Sequence, residues 1–300
     1  MSLIDIHVEI GTPEQQEAIR AELQWMFTLL GEEFLNYIEL HQVIIPLDFD
    51  ETVNRLQNTT SYTSDRIQIC IAKIIEAEGS NYVILSQLAY YELMDFGKRC
   101  RLIFHELYHL SNIKLFHIPE PVNTSESRYT NTIAIMYDEY TANLFANDLI
   151  LKLENHDIFG DVKAGLVKDY SSFLSSILDE NQYYLPIKNE YQDWRKHGDT
   201  LKMLNNTIQY IDAAIKDITY CYSFADAYDS LKKDFQKQSS VFLNEDTENL
   251  FNLFRGWHST PDLEIDFESG LDAVRRFMAT CFGIVFGNAP LGERFDLVPF

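Results

Sequence analysis

Basic residues are scarce in this sequence: 24 Lys and Arg stand against 46 Asp and Glu in 300 residues, a formal charge of −22. Nucleic acid and anionic membrane surfaces both require a basic face, so neither is expected as a partner. Lys98, Arg99 and Arg101 form the one dense basic cluster near the motif described below. The surplus carboxylates serve solubility first, and they also suit a basic partner.

Other things are missing too. There is no run of eighteen apolar residues, and Met1 to Gly11 has neither a basic start nor an apolar block. This predicts no transmembrane helix, no signal peptide and a cytoplasmic location. Cysteine is sparse and lacks a C-x-x-C pair: Cys70, Cys100, Cys221 and Cys281 lie far apart, which reads as buried thiols rather than disulfides or a thiolate metal site. No tandem repeat of fixed period is visible in the C-terminal half, which argues against a solenoid. What remains is a globular chain, 46% hydrophobic and 13% aromatic, long enough for one large domain or two ordinary ones.

One stretch stands out, Arg101 to Leu110, because it contains His105-Glu106-Leu-Tyr-His109. Ile103, Phe104, Leu107 and Leu110 recur at helical spacing. Residues four apart on a helix lie roughly 6 Å apart on one face. His105 and His109 are therefore able to direct both imidazoles at one Zn²⁺. Glu106 sits about 100° further round, off that face but within reach of a water beside the metal, where a general base belongs. The competing reading is a core helix whose two histidines are satisfied by hydrogen bonds.

A catalytic zinc needs a third protein ligand. Ile135, Tyr140, Leu144, Phe145, Ile150 and Leu151 predict a second helix starting near Met136, with Asp138, Glu139 and Asn143 on its other side. Glu139 is the chosen ligand. Asn143, one turn later, is placed to hydrogen-bond a ligating His and fix its ring. Alternatively, Asp138 and Glu139 are first-turn acids complementing the helix dipole.

These two segments together resemble the gluzincin zinc peptidases and, within them, the ImmA/IrrE family, which pairs an HExxH helix with a helix of the form E-x-x-A-N-x-F-A. Here the second pattern is Glu139-Tyr-Thr-Ala142-Asn143-Leu-Phe145-Ala146, followed by the aliphatic run to Leu151. The resemblance covers residues 64 to 152. It implies His105, His109 and Glu139 as zinc ligands, Glu106 as catalytic base and limited cleavage of a specific intracellular protein, such as a transcriptional repressor. Tyr108 stands where the family most often has Gly. A metzincin would need a third His at the position of Leu115, and His117 comes two residues late.

Around this motif, Thr12-Pro13-Glu14-Gln15 predicts a capped helix start, followed by one helix carrying Ile19, Leu23, Met26, Leu30, Phe34 and Tyr37. Val43 to Ile45 reads as a short strand, and Asp50 to Asn58 as a short helix. Ile67 to Ala77 and Tyr82 to Leu85 read as a hairpin turning at Gly79-Ser80-Asn81, with an edge beside the metal where a peptide would add as a strand. His117 to Thr130, with Pro119 and Pro121, reads as a loop. Tyr129, Tyr137 and Tyr140, like Tyr108 and His117, are candidates for oxyanion or substrate contact, and packing residues otherwise. After residue 155, Val162 to Leu178, Glu190 to Ala227, Asp246 to Trp257 and Gly270 to Phe286 read as helices.

The expectation is an α+β protein: a small sheet with a zincin-like HExxH helix over residues 1–155, then a mainly α-helical C-terminal domain over 156–300. The expected activity is that of a zinc-dependent peptidase acting on a protein or peptide. The alternative is a non-catalytic metal-binding or protein-interaction module with the same fold. The sequence leaves the oligomeric state open.

Overall fold

The computed structural model describes residues 4–62, 71–91, 95–115, 125–153, 162–260, 265–289 and 292–297. It is α+β, with a small four-stranded mixed sheet and a helical C-terminal part. Two compact units emerge, Met1–Lys114 with Leu149–Val162, and Leu115–Asp148 with Lys163–Phe300. No helix among the described residues is long and apolar enough to cross a membrane.

The first unit opens with a strand the sequence reading missed, β1 (Asp5–Val8). Its apolar signal is only Ile6 and Val8, and it exists because it lies parallel beside β2 (Leu40–Ile45). Between them, α1 (Pro13–Leu30) starts as expected: Thr12 and Gln15 form a reciprocal capping box and Pro13 takes the first helical position. The single helix expected through Tyr37 is two. Gly31, at φ 81°, adopts a conformation that side chains disfavour and turns the chain into α2 (Glu32–Tyr37). Apolar spacing alone continues smoothly across that break, which is why periodicity did not find it.

After β2 come α3 (Phe49–Leu56), capped by Asp48, then β3 (Ala72–Ala77) and β4 (Ser80–Leu85). The expected hairpin forms, but its loop is Glu78-Gly79, both with positive φ, so Ser80 and Asn81 belong to the strand. The portion expected before Ile71, including Cys70, lies outside the described residues. Strand order is β1-β2-β4-β3, with β1, β2 and β4 parallel and β3 antiparallel at one edge. Central strands must be apolar on both faces, and Val43, Ile44, Ile45, Val83, Ile84 and Leu85 are all buried. Ile75 and Ile84 share the face that packs on Val53 of α3. A short α4 (Leu88–Tyr91) precedes α5 (Phe96–Leu115).

The helix expected near Met136 begins eleven residues earlier: α6 runs Ser125–Leu153. The polar stretch containing Ser125, Ser127 and Arg128 hid its first turns, so Tyr129 and Thr130 lie in a helix rather than in a loop. His117 lies outside the described residues. Beyond α6 are α7 (Val162–Leu178), α8 (Tyr184–His197), α9 (Thr200–Ala227), α10 (Asp229–Phe235), α11 (Glu245–His258), a 3-10 turn (Phe267–Gly270) and α12 (Leu271–Phe282). Pro186, expected to separate helices, sits inside the first turn of α8, where the missing N–H has no intrahelical partner to lose. The expected helix from Glu190 to Ala227 is broken at Gly198-Asp199, and Asp199 caps α9 by accepting from Lys202 N. The last expected helix stops at Phe282. Ile284–Ala289 (β5) and Gly292–Leu297 (β6) form an antiparallel hairpin instead.

Aromatic rings fill the core of this second unit. Tyr222 stacks on Phe251 with centroids 3.9 Å apart, and Phe254 packs against Phe251 and Trp257. Burying each such ring contributes about 1.5–3 kcal/mol. Cys221 and Cys281 are free buried thiols here, as is Cys100 in α5.

Candidate metal centre

Helix α5 starts on Asp95, whose carboxylate accepts from Lys98 N at 2.9 Å. One turn in, Arg99 makes a forked pair with Glu22 of α1, with Nε–Oε1 at 2.8 Å and Nη2–Oε2 at 2.6 Å. Both side chains are about five-sixths buried, at 15% and 16% exposure. The fork raises the Arg99 pKa, so its charge is permanent. Cys100, Ile103, Phe104, Leu107 and Leu110 are buried on the same helix. This apolar stripe and the Arg99 fork fix the rotation of α5.

With that rotation His105 is buried and His109 half-buried. Their Nε2 atoms approach to 2.9 Å, with the rings at 87° and centroids 4.5 Å apart. The i, i+4 spacing thus brings the two side chains to one point. Glu106 and Tyr108 are half-buried on the same helix.

Helix α6 supplies Glu139, also half-buried. One ligand atom each from His105, His109 and Glu139 can be chosen such that all lie within 4.8 Å of one another. Ligand atoms around a tetrahedral zinc with bonds of about 2 Å are roughly 3.3 Å apart. That spacing falls between the 2.9 Å of the imidazole pair and the outer limit of the group. Two imidazole nitrogens and one carboxylate oxygen also make a donor set typical of catalytic zinc, which keeps a fourth position open. The three residues are near enough to one another to hold a metal ion.

Asn143, buried one turn after Glu139, donates from Nδ2 to the Glu139 carbonyl at 2.7 Å, which ties its amide to the backbone of the ligand residue. The three tyrosines of interest are all buried. Tyr129 Oη accepts from Phe286 N at 2.7 Å, and the Arg275 guanidinium lies over its ring. Tyr137 is enclosed edge-on by Phe254, Trp257 and Phe267. Tyr140 donates from Oη to Asp226 Oδ2 at 2.9 Å. Burial, reinforced by the Asp226 charge, raises the Tyr140 pKa well out of the physiological range, so it remains the donor. These contacts give Tyr129, Tyr137 and Tyr140 packing roles in the second unit.

Sequence reasoning did not find Glu22, Asp95, Asp226 or Arg255. Asp95 carried a local signal, an Asp three residues before Lys98 at the start of an apolar-periodic run. The others pair over 77, 86 and 29 residues and leave no local trace. Asp226 Oδ2 also accepts from Arg255 Nε at 2.8 Å, and Arg255 Nη1 reaches Glu248 and Asn252. Asp226, Lys232, Glu248 and Arg255 line a cleft of about 250 Å³ whose charges are mutually paired. Compared with protein families, with curated proteins and with solved structures, the chain finds no match.

Proposed function

We propose that this chain is a zinc-dependent peptidase whose metal is held by His105, His109 and Glu139. The observation that carries the reading is the convergence of these three side chains, two from α5 and one from α6. The ImmA/IrrE resemblance selected the same three residues from motif spacing, and it favours limited cleavage of a specific cytoplasmic protein. When bound, zinc acidifies a water and polarises the carbonyl it faces. Glu106 takes the proton of the attacking water and returns it to the leaving amine nitrogen. His105 and His109 remain neutral ligands, held by the stripe that fixes α5. The peptide lies extended along β3, the strand at one edge of the described sheet, where its main chain pairs as an added strand. The −22 charge speaks against a nucleic-acid substrate.

A second reading has its own observation. A separation of 2.9 Å between the two Nε2 atoms is also that of a direct imidazole–imidazole hydrogen bond. In that case the pair is a polar core contact in a non-catalytic interaction module. Turnover of a quenched peptide library by zinc-loaded protein separates the two. The wild type is expected to cleave, and Glu106→Gln to retain zinc while losing at least about a hundredfold in rate. Equal rates in the two proteins would remove Glu106 from the mechanism. Zinc binding without any cleavage would leave a non-catalytic metal-binding module, and neither zinc binding nor cleavage would favour the hydrogen-bonded pair of an interaction module.

A further inference from the structure

At about 100° per residue, Tyr129, Ile133, Tyr137 and Tyr140 fall within about 80° of one another on α6. Each is held by a different part of the second unit. Tyr129 meets Phe286 of β5, Ile133 lies against Gly270, Tyr137 sits among Phe254, Trp257 and Phe267, and Tyr140 bonds Asp226 of α9. The first three contacts are apolar or a neutral hydrogen bond accepted from backbone. The fourth is directional and charge-assisted, and Asp226 is itself held by Arg255 of α11. Tyr140 is the residue after Glu139, so whatever fixes the azimuth of one fixes the other.

We propose that Asp226, clamped by Arg255 and bonded to Tyr140, is a positioning residue for the metal centre: it sets the rotation of α6 and therefore the direction in which Glu139 is presented. The proposal rests on the zinc reading above. Its logic is that of outer partners around metal sites, which hold ligands at the geometry the metal needs and whose loss typically weakens metal binding about 10- to 100-fold. Here the partner acts through one peptide unit of a helix rather than through a bond to the ligand itself. Asp226 is 9% exposed, so its carboxylate is largely shielded from water.

The test is zinc affinity by competition with a chelator, measured well below the melting temperature of each protein. The wild type, Asp226→Asn, Tyr140→Phe and Lys232→Ala are compared. Asp226→Asn is expected to weaken zinc about tenfold or more, but it also removes a negative charge. Tyr140→Phe changes no charge and deletes one oxygen, so its expected loss of about three- to tenfold isolates positioning from electrostatics. Lys232, whose Nζ is 3.6 Å from the other oxygen of Asp226, does not clamp Tyr140, and Lys232→Ala should bind zinc as the wild type does. Should Asp226→Asn fail to fold, Tyr140→Phe decides. Wild-type affinity in Tyr140→Phe, accompanied only by a lower melting temperature, would show a purely structural tie and overturn the proposal while sparing the zinc reading. A wild type that binds no zinc would overturn that reading, and the positioning role with it.

Discussion

The two helices that carry the candidate ligands reach the same end by different means. In α5 the relation between His105 and His109 is local: they stand four residues apart on one face of the helix, and their Nε2 atoms lie 2.9 Å apart. In α6 the candidate ligand is Glu139, and its direction is proposed to follow from the bond between Tyr140 and Asp226. Both helices are nonetheless anchored alike, each by a buried charged bond to a distant element. Arg99–Glu22 fastens α5 to α1, and Tyr140–Asp226–Arg255 fastens α6 to α9 and α11. A pair of candidate ligands can thus be written into five residues of sequence, whereas the placement of a candidate third one needs the fold.

This comparison can be broken at either anchor. The largest effect is expected at α5. Glu22→Gln leaves the Arg99 guanidinium mostly buried with half its fork lost, and should cost about 3 kcal/mol of stability by denaturant titration. A loss below about 1 kcal/mol would mean that the apolar stripe alone holds α5, and that the likeness between the two anchors is superficial. A smaller effect is expected on the α6 side from Gly270→Ala. An added Cβ would lie 2.2 Å from Ile133 Cδ1 and 3.1 Å from both Leu253 and Trp257. Because Gly270 has an ordinary φ of −93°, the penalty is one of packing, about 1–3 kcal/mol. Thermal melting measures it directly. No change there would show that Ile133 moves aside freely and that the stripe is looser than its contacts imply.

Legibility in the sequence followed the same divide between local and distant interactions. The capping box at Thr12, the β3–β4 hairpin and the His105–Glu106–His109 spacing were readable because their partners lie within a few residues. Glu139 was chosen over its neighbour Asp138 as candidate third ligand, and the E-x-x-A-N-x-F-A pattern points to the same residue. The split at Gly31 was missed because periodicity persists across it. The strand β1 was missed because four residues with two apolar side chains become a strand only beside β2. The hairpin after Gly283 was read as a continuation of α12, because Ile284, Val285 and Phe286 are apolar and a buried strand has no period of its own. The tyrosines were the instructive case. Their abundance and their nearness in sequence to the motif suggested chemistry, while their spacing of four, four and three residues from Tyr129 through Ile133 and Tyr137 to Tyr140 already described a packing stripe.

The central claim is that three side chains from two helices form one zinc site. Zinc stoichiometry and affinity of the purified protein, determined by calorimetry beside Glu139→Ala, test it most directly. The account predicts about one zinc per chain for the wild type and a loss of at least about a hundredfold in affinity when the third ligand is removed. A wild type that takes up no zinc, or a Glu139→Ala protein that binds it unchanged, would contradict the account and leave His105 and His109 as a hydrogen-bonded pair in a helix core.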